Sequence, residues 1–143
     1  MPLSHVIYSS VFQDGLGQTD LEAILKASRE KNAALGLTGI LIHADGLFVQ
    51  LLEGESHHVN QVLDSIITDP RHWQIHVLLK ENIGERSFPD WTMAFMEEDL
   101  IQIQKLLDIE GAISAETMNG KLQTAKGWPP LFLEYYSNKF RQS

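Results

Sequence analysis

The chain has 143 residues, 43% of them hydrophobic and 21% charged, which is the composition of one globular domain with a real core and too little length for two. A formal net charge of −8, with the 11 Lys and Arg residues scattered, argues against a nucleic-acid partner, and no apolar run approaches the ~18 residues of a membrane span. Cysteine is absent, so disulfides, thiolate metal sites and a cysteine nucleophile are excluded. That absence, with an opening MPLSHVIYSS unlike a signal peptide, leads to the expectation of a cytoplasmic protein.

Residues 4–10, SHVIYSS, read as a short strand. After the loop FQDGLGQ, Thr19-Asp20-Leu21-Glu22 has the capping-box spacing of a helix start. That helix carries Leu21, Ile24, Leu25, Ser28, Asn32 and Leu35 on one stripe and is expected to end at Gly36. LTGILIH (37–43) and LFVQLLEG (47–54) follow as strands joined through Ala44-Asp45-Gly46, a hairpin signal. A second helix is predicted from about Ser56 to Thr68. Its Val59, Val62, Leu63, Ile66 and Ile67 recur at helical spacing, and Asp69-Pro70 stops it. WQIHVLLKE (73–81) reads as a fourth strand and, after a turn over 82–89, WTMAFM (91–96) as a fifth.

The order β-α-β-β-α-β-β is an α+β, ferredoxin-like plan with one strand added and both helices on one face of the sheet. The other face needs a cover. Leu100–Ile109 and Pro130–Phe140 are predicted helices, and the stretch between them, GAISAETMNGKLQTAKG, reads as an irregular connection. Leu131, Phe132, Tyr135, Tyr136 and Phe140 give the last helix an apolar face too large to stand exposed. Two uses remain open for it: covering the bare sheet face, or forming a subunit or partner interface.

Four polar residues fall where apolar ones are expected. Gln50 shares a strand face with Phe48 and Leu52, Tyr8 shares one with Val6, and Ser28 and Asn32 sit on the first helix's inward stripe. Burying an unpaired amide costs roughly 2–7 kcal/mol by transfer estimates, so these groups need partners. They either bond one another in a closed core network or line a site for a neutral ligand whose polar edge alternates donors and acceptors between apolar walls. A flavin ring has such an edge.

The motifs favour the second. "IYSS" with Tyr8, "SREKN" ending in Asn32, "GLTGIL", "FVQLLEG" with Gln50, "DPRH" and "FPDWTM" with Trp91 and Met93 occur in that order. With them, residues 4 to about 96 resemble a BLUF domain, the family of blue-light sensors that bind a flavin. The resemblance implies a flavin-binding domain over 1–97 and a C-terminal helical extension over 98–143. It implies FAD as cofactor, with FMN or riboflavin as possible forms. Tyr8 and Gln50 become the photochemical switch pair, and Asn32 holds the carbonyl and imide edge of the ring. Ser28 lines the site, Trp91 and Met93 relay the state of Gln50, and Arg71 and His72 lie near the ribityl chain and phosphates. Lys31 departs from the family, where many relatives carry a second Asn, and there it would favour a flavin phosphate. The implied photocycle passes an electron and then a proton out of Tyr8 by way of Gln50 and back, leaving the Gln50 amide rearranged and the flavin oxidised. Strand five is the expected exit for the signal, towards the C-terminal helices, a separate downstream protein and a homo-oligomer.

Other chemistries are weaker. His57-His58 and the pair His72 and His76 lack supporting carboxylate spacing, so no metal is expected. GLTGIL lacks the lysine of a phosphate loop. An acylphosphatase-like enzyme would need a basic residue in FQDGLGQ, and an RNA-binding version would need a basic aromatic strand where DGLFVQLLE is acidic. The serious alternative is a flavoprotein doing ordinary redox catalysis; the primary expectation is a sensor that is not an enzyme.

Overall fold

A computed structural model describes residues 2–12, 17–70, 72–111, 114–125 and 127–141, with the backbone alone at 72, 73 and 141. The elements are β1 (Leu3–Phe12), α1 (Gln18–Leu35), β2 (Thr38–Ala44), β3 (Leu47–Glu55), α2 (Ser56–Ile67), β4 (His72–Ile83), β5 (Ala94–Glu97), α3 (Leu100–Leu107), α4 (Ala115–Thr124) and α5 (Trp128–Arg141). The five strands form one sheet in the order β4-β1-β3-β2-β5. β1 runs antiparallel to both β3 and β4, β2 antiparallel to β3, and β5 parallel to β2. This is the expected ferredoxin-like plan, with β5 as the added edge strand.

Strand alternation divides the sheet's side chains between two cores. Val6, Tyr8, Phe48 and Leu52 turn towards α1 and α2, where they meet Leu21, Ile24, Val59 and Leu63. Ile7, Val11, Val49 and Leu51 turn the other way, against Ile103, Met118, Leu122, Trp128, Phe132 and Tyr136 of α3, α4 and α5. The C-terminal helices therefore cover the otherwise bare face. The apolar side of α5 splits accordingly: Phe132 and Tyr136 are each 1% exposed, whereas Leu131 and Tyr135 are 42% and 43% exposed. Among the described residues, no helix is long and apolar enough to cross a membrane.

The turns behave as their residues predict. Gly36 closes α1 in the left-handed region (φ 69°), and the Leu37 N–H reaches the Asn32 carbonyl at 2.8 Å. Asp45 and Gly46 both have positive φ, 50° and 94°, as a tight two-residue hairpin requires.

Four boundaries differ from expectation. Helix α1 starts at Gln18, not Thr19: Gly17 is the N-cap, and the Asp20 carboxylate accepts its N–H at 3.0 Å. β5 begins only at Ala94, so Trp91 and Met93 lie on the segment before strand five and not on it. The stretch read as irregular contains α4, capped by the Ser114 hydroxyl, which accepts the Thr117 N–H at 3.2 Å. α5 begins at Trp128, with Pro129 and Pro130 in a first turn that needs no backbone donors.

Candidate functional site

Tyr8 and Gln50 are register partners on adjacent central strands, so their side chains emerge side by side beneath α1 and α2. Both are buried, at 1% and 4% exposure. The Tyr8 hydroxyl donates to Gln50 Oε1. The other end of the amide, Nε2, donates to the thioether sulfur of Met93 at 3.4 Å, a weak acceptor. The amide therefore sits between one strong partner and one soft one. Burial raises the Tyr8 phenol well above the ordinary tyrosine range, and the negative charge of Asp69 raises it further, so Tyr8 enters the site as a neutral donor.

Above this pair, a cavity of about 130 Å³ opens between the two helices. Tyr8, Leu41, Phe48 and Gln50 line it from the sheet, Ile24, Ser28, Lys31 and Asn32 from α1, and Val62, Ser65 and Ile66 from α2. Apolar branched side chains from the two helices thus flank a polar edge of neutral amides. Asn32, 1% exposed, donates through Nδ2 to the Thr92 carbonyl at 2.7 Å. The Lys31 ammonium lies at the rim and donates to Ser65 Oγ at 2.6 Å, tying α1 to α2.

A loop held at several points places Met93. The Glu53 carboxylate, fully buried on β3, accepts from the Thr38 hydroxyl and from the Ser87 and Phe88 amides at 2.7–2.9 Å. The Gly39 N–H takes the Trp91 carbonyl at 3.0 Å, and Arg29 Nε takes the Met93 carbonyl at 3.1 Å. Gly39 is required where it stands, because a Cβ there would meet the Leu51 carbonyl oxygen at 2.0 Å. Met93 is buried at 1%, whereas Trp91 is 37% exposed and presents its ring edge to Phe140 of α5 at 5.1 Å between centroids. The two residues read as relays thus face different ways: Met93 towards Gln50, Trp91 towards the last helix.

The structure brings Tyr8, Ser28, Lys31, Asn32 and Gln50 to one cavity, with Met93 bonded to its polar edge. Arg71 and the side chain of His72 fall outside the described residues, so the expected tail contacts are not visible, nor is the pairing of His72 with His76. Arg29 and Glu53 were not singled out in the sequence. A buried glutamate in an apolar strand signals a hidden set of donors, and Glu53 has three. His57 and His58 do have a carboxylate nearby: Glu55 oxygens lie 3.8 and 3.7 Å from their Nδ1 atoms. The expectation that none supports them is corrected, although His57 is 63% exposed and the cluster sits at a helix N-terminus, whose partial positive charge opposes a cation.

The family model for "BLUF: Sensors of blue-light using FAD" matches residues 3–94. A photoactivated adenylate cyclase subunit beta from Euglena longa is 33% identical over 100 residues, covering 69% of this chain. The blue light- and temperature-regulated antirepressor BluF of Escherichia coli (strain K12) is 33% identical over 86 residues, covering 60% of this chain. The chain spans only 12% of the cyclase subunit and 21% of the antirepressor. The dark-state structure of the BLUF protein BlrB superposes with a TM-score of 0.75 at 26% identity, covering 96% of this chain and 97% of that one. A family match that takes in β1 to the start of β5, on a sheet that superposes from end to end with a solved member, makes this chain a member of the BLUF family of flavin-using blue-light sensors.

Proposed function

We propose that this chain is a blue-light photoreceptor whose switch is the Gln50 amide, held between Tyr8 and Met93 at the polar edge of a flavin cavity. The observation that carries the reading is the pair of unequal bonds on that amide: Tyr8 O–H to Oε1, and Nε2 to a thioether. Asn32 and Gln50 would hold the ring's carbonyl edge, Ser28 would line it, and Ile24, Val62 and Ile66 would pack on its faces. Lys31, with Arg71 and His72, would take the side chain and its phosphates, which suits FAD and also admits FMN. Bound oxidised flavin supplies the absorption of blue light and the transient electron acceptor. Tyr8 releases an electron and a proton, the proton leaving through the hydrogen bond it already makes to Gln50, and then recovers both. Gln50 can come out of that exchange turned or tautomerised because its two ends differ as donor and acceptor. Its weak bond to Met93 is the one most easily surrendered. No substrate is consumed, so the reading is a sensor and not a redox enzyme.

The signal would leave through Met93 and the segment leading into β5, with Trp91 touching α5 through Phe140. Residues 1–97 act as the flavin-binding unit and 98–143 as the helical extension that hands the signal to a separate protein or to a second copy. A spectrum of the purified protein, dark and then illuminated, tests the core of this. A flavin spectrum that moves to longer wavelength in light, stays oxidised and recovers in darkness is expected. A colourless protein that takes up no added flavin overturns the reading, and bleaching with turnover of a reductant favours ordinary redox catalysis. Hydrogen exchange in dark and light, on wild type and Met93→Ala, tests the exit route. Light-dependent exchange should gather in β5 and the tail and diminish in the variant, whereas changes confined to α1 would place the exit elsewhere.

A further inference from the structure

The residue after Tyr8 faces the other core. Ser9 is fully buried, and its hydroxyl donates to Oδ1 of Asn119, an equally buried amide on α4. Asn119 then donates through Nδ2 to the Gln74 carbonyl at 2.7 Å. Gln74 has a left-handed φ of 52°, and it stands where the β1–β4 register shifts between Ser9 and Val11. A bulge disrupts the ladder locally and frees backbone groups from their strand partners. One side chain from α4 therefore bridges both strands of the pair at its irregularity, directly behind Tyr8. At the far end of α4, the indole N–H of Trp128 donates to the Leu122 carbonyl at 3.0 Å and ties that helix to α5. A continuous polar and packed path runs from β1 at Tyr8 to the last helix without passing through β5.

We propose that Asn119 is a positioning residue for the photosite and the contact by which α4 senses it. This rests on the reading of Tyr8 and Gln50 as the switch pair. Tyr8 and Ser9 share a peptide unit, so a shift of Tyr8 towards or away from Gln50 tilts the plane that carries the Ser9 side chain on the opposite face. The hydroxyl-to-amide bond is directional and has two ends to lose, so it responds to such a tilt more sharply than apolar packing does. Coupling of this kind is reciprocal: if the state of Tyr8 alters the docking of α4, severing α4 from β1 must alter the stability of the switched state.

The test uses the full chain with flavin bound. Ser9→Ala removes only the hydroxyl, and Asn119→Leu replaces the amide by an apolar group of similar size. In Ser9→Ala the flavin should bind and the red shift should form in full. Its dark-recovery rate should change by roughly three- to tenfold, the kinetic equivalent of one hydrogen bond. Light-dependent hydrogen exchange in α4 should fall to less than about half of wild type, with that in β5 retained. A Ser9→Ala protein with wild-type recovery and wild-type exchange in α4 overturns the proposal. So does a wild-type protein whose red shift forms while α4 is indifferent to light. Absence of any red shift in the wild type overturns the switch-pair reading itself, and this inference with it. If Asn119→Leu fails to fold, Ser9→Ala alone decides the matter.

Discussion

Tyr8→Phe and Gln50→Leu, made singly and together, separate the hydrogen bond at the centre of the site from the packing around it. Both side chains are buried, at 1% and 4% exposure, so neither orphaned group can turn to bulk water. Phe keeps the ring and leaves Gln50 Oε1 without its donor, while Leu keeps roughly the amide's volume and leaves the phenol without its acceptor. An orphaned buried polar group costs about 1–3 kcal/mol, whereas replacing both partners by apolar groups is nearly neutral. The double variant is therefore expected to be more stable than the sum of the singles implies, by about 1–2 kcal/mol, a coupling within the range found for contacting residues. For a chain of this size, 1 kcal/mol corresponds to a shift of ~2–4 °C in Tm. Urea unfolding of the flavin-free proteins measures the cycle without a contribution from ligand binding. Light-minus-dark spectra of the flavin-loaded proteins should show the red shift lost in all three. Additivity within about 0.3 kcal/mol would mean the two groups are not bonded as described. A normal reversible shift in Gln50→Leu would refute the amide as the switch.

Three further outcomes are expected. Burial, reinforced by Asp69, raises the Tyr8 pKa, so the red-shift amplitude should stay flat from pH ~6 to ~10, and a titration near the ordinary phenol value of ~10 would contradict it. Glu98 is also raised, by burial first and then by Asp99, with Lys139 partly offsetting them. A raised carboxyl favours folding below the ordinary carboxylate value and loses that contribution as pH rises through the raised one. Glu98→Gln should thus increase Tm more at pH ~7 than at pH ~4, and an equal gain at both would refute this. Gly39→Ala pushes a Cβ to 2.0 Å from the Leu51 carbonyl on the paired strand, so it should cost more than ~2 kcal/mol in urea unfolding. A loss under ~0.5 kcal/mol would show that the strands are not packed this closely.

Which parts were legible in the sequence follows from which forces are local. α1, α2 and the β2–β3 hairpin announce themselves through periodicity and through Gly36 and Asp45-Gly46, where the chain needs left-handed residues. The convergence of Tyr8, Ser28, Asn32 and Gln50 is likewise a matter of period, since strand and helix repeats place each on an inward face. What they would bind was not decided by the pattern and came from the motifs. α4 was missed because its buried stripe is only Ala115, Met118, Asn119 and Leu122, with one amide in four places and Gly120 beside it. The start of β5 was misjudged because Trp91, Thr92 and Met93 have strand-like side chains. Their carbonyls, however, are taken by Gly39, Asn32 and Arg29, bonds between residues far apart in the chain.

The sheet also works as a two-column ledger. On β1 and β3 the even positions Val6, Tyr8, Phe48, Gln50 and Leu52 belong to the flavin side, and the odd positions Ile7, Val11, Leu47, Val49 and Leu51 to the C-terminal side. Mutation can rewrite one column while the other stays as it was. A BLUF domain can therefore acquire a new helical appendage, or be grafted onto one in the laboratory, by editing alternate letters of two strands. Such a substrate for recombination suits a family in which a matching segment of about this size makes up 12% of one relative and 21% of another. A chimera built on that rule would import foreign helices together with only the odd positions that touch them, leaving the colour chemistry on the reverse of the same strands.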